Sequence, residues 1–294
     1  MSEIIESMPE AEYHLRPEVS KHDLDLIRRA PLLYQYRKAN PEPPDDEMNF
    51  GSLVHLALLQ PHLLENSVCY LPSDAPPRPL PSQIKCREEG KAASKSAEER
   101  FTFWDDWNEK NAGKFNIKPE TMEKVLGIQK SIMENSSTAI YFQGEQLREA
   151  SLFWERSGTR MENGKRIPWT VECRARLDIL RTAEIVDLKT CGDASRGGFS
   201  RDMATRRYSH QGEHYLDGAR ACGYQVQSFV MIAVECHAPY LCAAHALGES
   251  SIDVARDENK RDLGIYHKCK ESGIWPNIRN HNQPLEAPIY GFDQ

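Results

Sequence analysis

The 294-residue sequence contains no long apolar run, and its cysteines form no CxxC pair. The longest apolar stretch is FVMIAV at 229–234, whereas a membrane-spanning helix needs about 20 apolar residues. The acidic N-terminal segment MSEIIESMPEAEYH also lacks the basic and apolar parts of a secretory signal. We therefore expect a cytoplasmic protein that makes no membrane contact.

The eight cysteines are scattered along the chain. In a cytosolic protein such cysteines are mostly reduced and buried. An iron–sulfur cluster normally requires closely spaced cysteines, so the pattern argues against the nucleases that carry one.

The charge balance is acidic, with a formal net charge of −7, which argues mildly against nucleic-acid binding. Net charge says nothing about how the charges are arranged, however. The segment 195–210 combines one acid with four arginines, which are Arg196, Arg201, Arg206 and Arg207. A local basic track on an acidic protein is therefore expected.

The pattern of apolar residues predicts a mostly helical part over 1–147, with a proline-rich linker at 71–83, before an α/β core over 148–249. A helix and tail at 250–294 complete the single domain. In the helical part Ser20 is a predicted helix cap, Pro31 a break, and 40–47 a proline-rich loop. The core is predicted to hold strands at 149–158, 167–180 and 183–190 as an antiparallel meander, a turn around 158–164, a basic loop, a helix at 208–222 and strands at 224–236 and 239–247. This order indicates an α+β fold with helical N-terminal additions.

The strand AEIVDLKT at 183–190 ends on Asp187 and Lys189, which share one face. The preceding strand ends near Asp178. If the two strands pair as a hairpin, the two carboxylates come together and repel each other unless a cation lies between them. Oxygen ligands favour Mg²⁺ or Mn²⁺.

An acid two positions before a lysine occurs three times, as Glu89-Gly-Lys91, Asp187-Leu-Lys189 and Glu258-Asn-Lys260. Only the middle copy follows an apolar strand, and the other two are expected on a solvated surface. The simpler interpretation of the middle copy is an ion pair at the end of a strand.

Arg176-Leu-Asp178 and Asp187-Leu-Lys189 on consecutive strands resemble the signature of the PD-(D/E)xK nucleases, although Arg-Leu-Asp stands where Pro-Asp is expected. Gly51-Ser-Leu-Val-His55 resembles the GxxxH helix of the RecB-like branch. The order of the motifs is most similar to the RecE-type exonucleases, also called exodeoxyribonuclease VIII. The residues that carry this resemblance are His55, Glu149, Asp178, Asp187, Lys189, Gln211 and Tyr215.

The resemblance implies a restriction-endonuclease-like core, in which helices flank a central mixed sheet. It also implies a Mg²⁺-dependent (or Mn²⁺-dependent) exonuclease of phage recombination that digests linear double-stranded DNA from 5′ ends. The 3′ single strands would serve a RecT-type annealing partner in homologous recombination. A homo-oligomeric ring around DNA is a further expectation from the family.

The resemblance and the chemistry of the side chains suggest a role for each residue. Asp178, Asp187 and the carbonyl of Leu188 would hold a metal ion, with Glu149 and His55 completing the same or a second ion. Lys189 would orient the attacking water or offset charge in the transition state. Gln211 and Tyr215 would hold Lys189 or a DNA phosphate.

The expected DNA contacts are less specific. Ser20 and Arg28 resemble positions that hold a terminal 5′-phosphate in related exonucleases. Arg176 and the arginines at 201, 206 and 207 are expected to contact DNA, with Arg201, Arg206 and Arg207 following the backbone.

Several alternatives stay open at this point. His55 could be a hydrogen-bonded core histidine, Ser20 only a helix cap, and the QxxxY pair only packing. His210 and His214 have metal-like spacing but no evident third ligand, which makes a zinc site the weaker interpretation. For the function, the alternatives are a Cas4-like or repair nuclease, a restriction-type endonuclease, or a non-catalytic module that binds DNA ends.

Overall fold

The computed structural model describes residues 2–41, 46–92 and 94–278. Its strands are β1 Glu3–Ile5, β2 Val68–Tyr70, β3 Phe115–Ile117, β4 Leu147–Glu162, β5 Lys165–Leu180, β6 Glu184–Cys191, β7 Ser228–Glu235 and β8 Cys242–Ala246. Its helices are α1 Glu10–Leu15, α2 Lys21–Arg29, α3 Pro31–Ala39, α4 Asp46–Leu59, α5 Pro61–Ser67, α6 Pro81–Glu88, α7 Lys95–Lys110, α8 Pro119–Glu134, α9 Ser136–Ala139, α10 Arg196–Thr205, α11 Tyr208–Ala221 and α12 Glu249–Ser272, with a 3-10 turn at Ile140–Phe142. No helix in these described segments has the length and apolar character to cross a membrane.

Six strands form the central sheet in the order β1-β4-β5-β6-β7-β8. β4, β5 and β6 are successively antiparallel, which confirms the predicted meander. β6 and β7 run parallel, and α10 and α11 form the crossover between them. The sheet is therefore mixed, as expected. The short strands β2 and β3 pair separately in the helical part of the chain.

Helices cover both faces of the sheet and bury two apolar cores. One core is formed with α2, α11 and α12, and includes Leu24, Trp154, Leu177, Leu216 and Leu263. The other is formed with α4 and α8, and includes Val54, Val125, Ile128, Val186 and Ile232. The fold is thus an α+β sheet flanked by helices, which confirms the predicted class.

The hairpin of β4 and β5 is longer than the sequence predicts. The turn predicted around 158–164 is present but shorter, because Gly158 lies within β4 opposite Trp169. A Cβ on Gly158 would come within 2.4 Å of the Trp169 ring, so this glycine serves close packing. The actual turn is Asn163-Gly164, whose φ angles of 49° and 75° suit a two-residue hairpin.

Caps and breaks in the N-terminal part follow the sequence. Ser20 caps α2 in a capping box with Asp23, and Pro31 begins α3. The linker predicted at 71–83 ends where α6 begins at Pro81. Residues 42–45 of the predicted loop at 40–47 and the tail after residue 278 lie outside the described residues, and α4 begins within the predicted loop, at Asp46.

One region departs from the prediction in kind. The basic loop expected before residue 208 contains α10, which is capped by the Ser195 side chain accepting the Gly198 N–H at 3.2 Å. Two adjacent glycines and a low apolar content conceal this helix in the sequence. The three-residue strands β1, β2 and β3 are too short to show a periodicity, and they were not predicted.

Candidate metal centre

The site lies where β5 and β6 separate. The ladder between these two strands consists of the pairs Ile179–Val186 and Leu180–Ile185. One position further along β5, a side chain replaces the backbone as hydrogen-bond acceptor. The carboxylate of Asp178 accepts the backbone N–H of Leu188 at 2.7 Å. Asp178 is thereby fixed at the point of separation.

Glu149 lies opposite Asp178 across the β4–β5 ladder, since Arg148 pairs with Ile179 and Ala150 with Leu177. Its φ is +54°, in the left-handed region that non-glycine residues seldom adopt. Leu147 and Ala150 contact the same core although they are three positions apart, so the strand changes face at this residue. Strain of this kind is often found at functional sites.

His55 approaches the same point from α4. Its Nδ1 lies 3.4 Å from Asp178 Oδ1, and its Nε2 lies 3.2 Å from the carbonyl oxygen of Leu188. The histidine is thus hydrogen-bonded, as the simpler alternative requires, but its partners belong to the predicted site. The GxxxH motif and the strand motif therefore converge in space.

His55, Glu149 and Asp178 each offer one ligand atom, and these atoms lie within 4.8 Å of one another. No other group of this kind is found in the part of the chain that the structure describes. Asp187 Oδ2 adds a further buried acidic oxygen, which is paired with Lys189 Nζ at 2.6 Å. The two carboxylates fit Mg²⁺ or Mn²⁺, and the imidazole nitrogen favours Mn²⁺ over Mg²⁺.

Asp187 and Lys189 lie beside this group at the end of β6. Lys189 Nζ is 2.6 Å from Asp187 Oδ2, so the strand-end ion pair is present next to the converging carboxylates. Gln211 Nε2 donates to Asp187 Oδ1 at 2.8 Å. The contact of Gln211 is therefore with Asp187, whereas we expected it with Lys189 or a phosphate. Tyr215 packs edge-on against Phe229 at 6.1 Å, one helical turn further along α11.

Burial and mutual repulsion separate the pKa values of the acids. Burial, aided by the charge of Asp178, raises the pKa of Glu149 and raises that of Asp187 to about 6. Burial also acts to raise the pKa of Asp178, but His55 and Lys189 outweigh it and lower that pKa. The pKa of His55 rises to about 9, because the Asp178 charge overcomes the opposing effect of burial. One acid is thus held ionised between two that favour protonation, which a cation would relieve.

The residues predicted to contact DNA are mostly engaged with protein groups. Arg176 Nε donates to Glu149 at 2.5 Å, and its Nη1 donates to the Met8 carbonyl at 3.0 Å. The Ser20 hydroxyl donates to Asp23 at 2.8 Å, which supports the helix-cap alternative. Arg28 is the more exposed, and its Nη2 lies 3.7 Å from Glu258.

The basic segment divides into two kinds of arginine. The side chains of Arg201 and Arg206 are exposed along α10 and its end. Arg207 is turned inward and pairs with Asp25 at 3.1 Å, Glu258 at 3.4 Å and Asp262 at 3.5 Å. The exposed pair can meet a DNA backbone, while Arg207 joins α2, α11 and α12.

The other motifs take structural positions. Lys91 pairs with Glu89 on the surface. His210 faces Glu258, and His214 faces the Arg174 carbonyl, so the two histidines do not share a ligand position. Sequence reasoning missed Tyr208, whose ring faces Lys189 Nζ at 4.9 Å. The signal was its spacing, because Tyr208 precedes Gln211 by three positions on the same helix face.

This architecture, with a metal-ligand group where two strands separate and a following acid-x-Lys, is that of the PD-(D/E)xK nuclease superfamily. Residues 30–283 match the family described as a PDDEXK-like domain of unknown function (DUF3799), and the chain belongs to this family.

Comparisons with other proteins agree with the fold. A crystal structure from Eubacterium rectale, of a protein whose name ascribes exonuclease activity to it, is 14% identical, with a TM-score of 0.52 over 96% of each chain. At that identity the likeness shows the fold alone. The structure of SSO0001 is 13% identical over 71% of this chain and 84% of that one, and its TM-score of 0.23 does not indicate a shared fold. No curated protein matches the sequence.

Proposed function

We propose that this protein is a metal-dependent exonuclease of the RecE type, which digests linear double-stranded DNA from its 5′ ends. The observation that carries the nuclease assignment is the convergence of His55, Glu149 and Asp178 ligand atoms within 4.8 Å, beside the Asp187–Lys189 pair. The fold family and the likeness to the Eubacterium rectale protein support the same class.

The side chains divide the chemistry among them. Glu149, Asp178, His55 and the Leu188 carbonyl would hold Mg²⁺ or Mn²⁺, and Asp187 borders them. Such an ion lowers the pKa of water and stabilises charge on a phosphoryl group. Lys189 directs an ammonium to the position where charge develops, and Gln211 fixes the Asp187 carboxylate that orients Lys189.

The finer parts of the proposal rest on the order of the motifs. The 5′ to 3′ polarity, the 3′ overhangs for single-strand annealing, the RecT-type partner and the ring are carried by the resemblance to the RecE-type exonucleases. The exposed Arg28, Arg201 and Arg206 are the described side chains that we assign to the DNA backbone. Ser20 is assigned to capping α2.

Digestion of duplex DNA labelled at either the 5′ or the 3′ end, with Mg²⁺, Mn²⁺ or EDTA, tests the proposal. A covalently closed circle of the same sequence is the control. We expect early metal-dependent release of the 5′ label, an intact circle and residual 3′ single strands. Cutting of the circle would indicate an endonuclease, and early release of the 3′ label would reverse the polarity. Metal-dependent binding without cleavage of any substrate would indicate a DNA-end-binding module.

A further inference from the structure

We infer that Tyr208 is a positioning residue for the reaction, whose ring face holds the Lys189 ammonium against Asp187. Lys189 Nζ lies 4.9 Å from the centroid of the Tyr208 ring and 2.6 Å from Asp187 Oδ2. The ammonium thus contacts both a carboxylate and an aromatic face. This inference rests on the proposed nuclease function and adds a residue outside its sequence motifs.

The fold places Tyr208 through the start of α11. Tyr208 is the first residue of the helix, and Arg207 before it adopts a left-handed φ of 53°. The Arg207 guanidinium is fixed by the acids of α2 and α12, which holds this turn in place. Tyr208, Gln211 and Tyr215 then follow at the i, i+3, i+7 spacing of one helix face. That face contacts Lys189 through the first residue and Asp187 through the second.

The Tyr208 ring also packs against a row of further rings. Phe199 of α10 stacks on Tyr208 with centroids 5.9 Å apart, and His245 of β8 stacks on Phe199 at 5.2 Å. His245 Nε2 lies 2.9 Å from the Ala194 carbonyl, which fixes the last ring. Tyr208 is only 8% exposed. The ring facing Lys189 is therefore held rigidly by three elements of the fold.

An aromatic face suits this position for an electrostatic reason. The ring quadrupole attracts a cation, most strongly where water is excluded, yet the ring carries no net charge. A further carboxylate here would add repulsion to a site where burial, together with the charge of Asp178, already raises the pKa values of Glu149 and Asp187. The ring can hold the ammonium in one direction while leaving its charge for the reacting phosphate.

A measurement that does not depend on cleavage tests the contact itself. With lysine labelled by ¹³C, the Cε–Hε signal of Lys189 can be assigned by its loss in Lys189→Arg. A ring face shifts the signals of protons above it upfield. We expect an upfield Lys189 signal in the wild type and in Tyr208→Phe, and its return to the common lysine position in Tyr208→Leu.

Kinetics then test the positioning role. Tyr208→Leu should lower kcat by about tenfold with KM little changed, while Tyr208→Phe should stay near the wild type, because it keeps the ring. Tyr266→Leu is the matched control for the loss of a buried ring. Tyr266 of α12 is 6% exposed, and its ring faces Lys270 Nζ of the same helix at 5.8 Å. At equal folded concentration this control should keep the wild-type kcat.

The outcomes separate the inference from the function on which it rests. If the wild type cleaves no DNA, the proposed function fails, and the lysine signals alone decide whether the ring holds Lys189. A Tyr208→Phe variant as impaired as Tyr208→Leu would assign the effect to the hydroxyl and overturn the inference. An unshifted Lys189 signal in the wild type, or an equal fall in kcat in Tyr266→Leu, would also overturn it.

Discussion

Buried charges lie on two sides of α11, and they are arranged in opposite ways. On one side Glu213 is gripped by Arg156, whose Nη1 and Nη2 donate at 3.0 Å and 2.5 Å, and by Asn259 Nδ2 at 2.6 Å. On the other side Gln211 donates to Asp187. Near Asp187, Glu149 of β4 and Asp178 of β5 lie opposite each other. Gln211 and Glu213 are two residues apart on one helix.

The difference separates a charge that serves folding from charges that serve a ligand. A bidentate arginine satisfies both oxygens of a carboxylate, so the Glu213 side needs nothing further. At the strand ends, burial and a neighbouring carboxylate raise the pKa values of Asp187 and Glu149 instead. Buried acids of this kind are candidates for a functional site. Breaking each side separately should therefore affect different properties.

The largest effect is expected at the strand end. Asp187→Asn should lower the cleavage rate roughly 10³-fold, because it removes an acidic oxygen beside the ligand group and loosens Lys189. Stability should change by only about 1 kcal/mol, since relief of the buried carboxylate offsets the weaker pair with Lys189. Single-turnover digestion and urea unfolding in EDTA measure the two quantities. A variant that keeps its rate would contradict the site assignment.

The paired side should show the reverse. Glu213→Ala leaves the buried Arg156 with only its 3.6 Å pair to the half-buried Asp217, which should cost about 3 kcal/mol of unfolding free energy. The cleavage rate per folded molecule should stay near that of the wild type. Urea unfolding and titration of active sites measure both. Replacing both members together, as Arg156→Met with Glu213→Leu, should recover much of the stability. A large fall in the rate per folded molecule would mean that the two sides are not separate.

His214 sharpens the comparison, because its environment accepts no charge. Burial, with the nearby Arg156 charge, lowers its pKa from 6.5 to about 4. Between pH 6.5 and 4 the unfolded chain therefore binds more protons at His214 than the folded chain does. The stability that depends on a neutral His214 is complete above about pH 6.5 and is lost as the pH falls towards 4. Between pH 7 and 5 the wild type should lose about 2 kcal/mol more than His214→Gln. An equal loss of unfolding free energy in both proteins, measured by urea unfolding, would contradict a neutral buried His214.

The smallest effect is expected among the arginines of 201–207. Arg201→Ala and Arg206→Ala should each reduce the slope of log Kd against log salt by about 0.9, the value for one phosphate contact. Arg207→Ala should leave the slope unchanged and lower stability instead, because Arg207 pairs with acids of α2 and α12. Fluorescence anisotropy with a labelled duplex in Ca²⁺ gives the slopes. A reduced slope in Arg207→Ala would place it on the DNA.

Periodicity and caps predicted much of the fold. The meander, the helix at 208–222 and the Ser20 cap are local patterns, and the structure has them. The sequence misled at Gly158, because a glycine needed for contact with Trp169 looks like a turn glycine. It also concealed α10. Such errors arise where a residue is chosen by a tertiary neighbour that the local pattern does not contain.

The sequence predicted which residues form the candidate site, but it did not predict their contacts. Motif order identified His55, Asp178 and Asp187, and the structure brings them to one strand end. The left-handed backbone of Glu149 and the pairing of Gln211 with Asp187 depend on strand register. Tyr208 could have been found by extending the QxxxY spacing by one turn towards the N-terminus.

Metal binding tests the central claim most directly. Mn²⁺ binding can be counted by electron paramagnetic resonance for the wild type, Asp178→Asn and Glu213→Gln at equal folded concentration, without DNA. We predict that the wild type and Glu213→Gln bind Mn²⁺ alike, and that Asp178→Asn loses at least about tenfold in affinity. Undiminished binding by Asp178→Asn, or an equal loss in Glu213→Gln, would contradict the assignment of the strand-end acids to a metal ion.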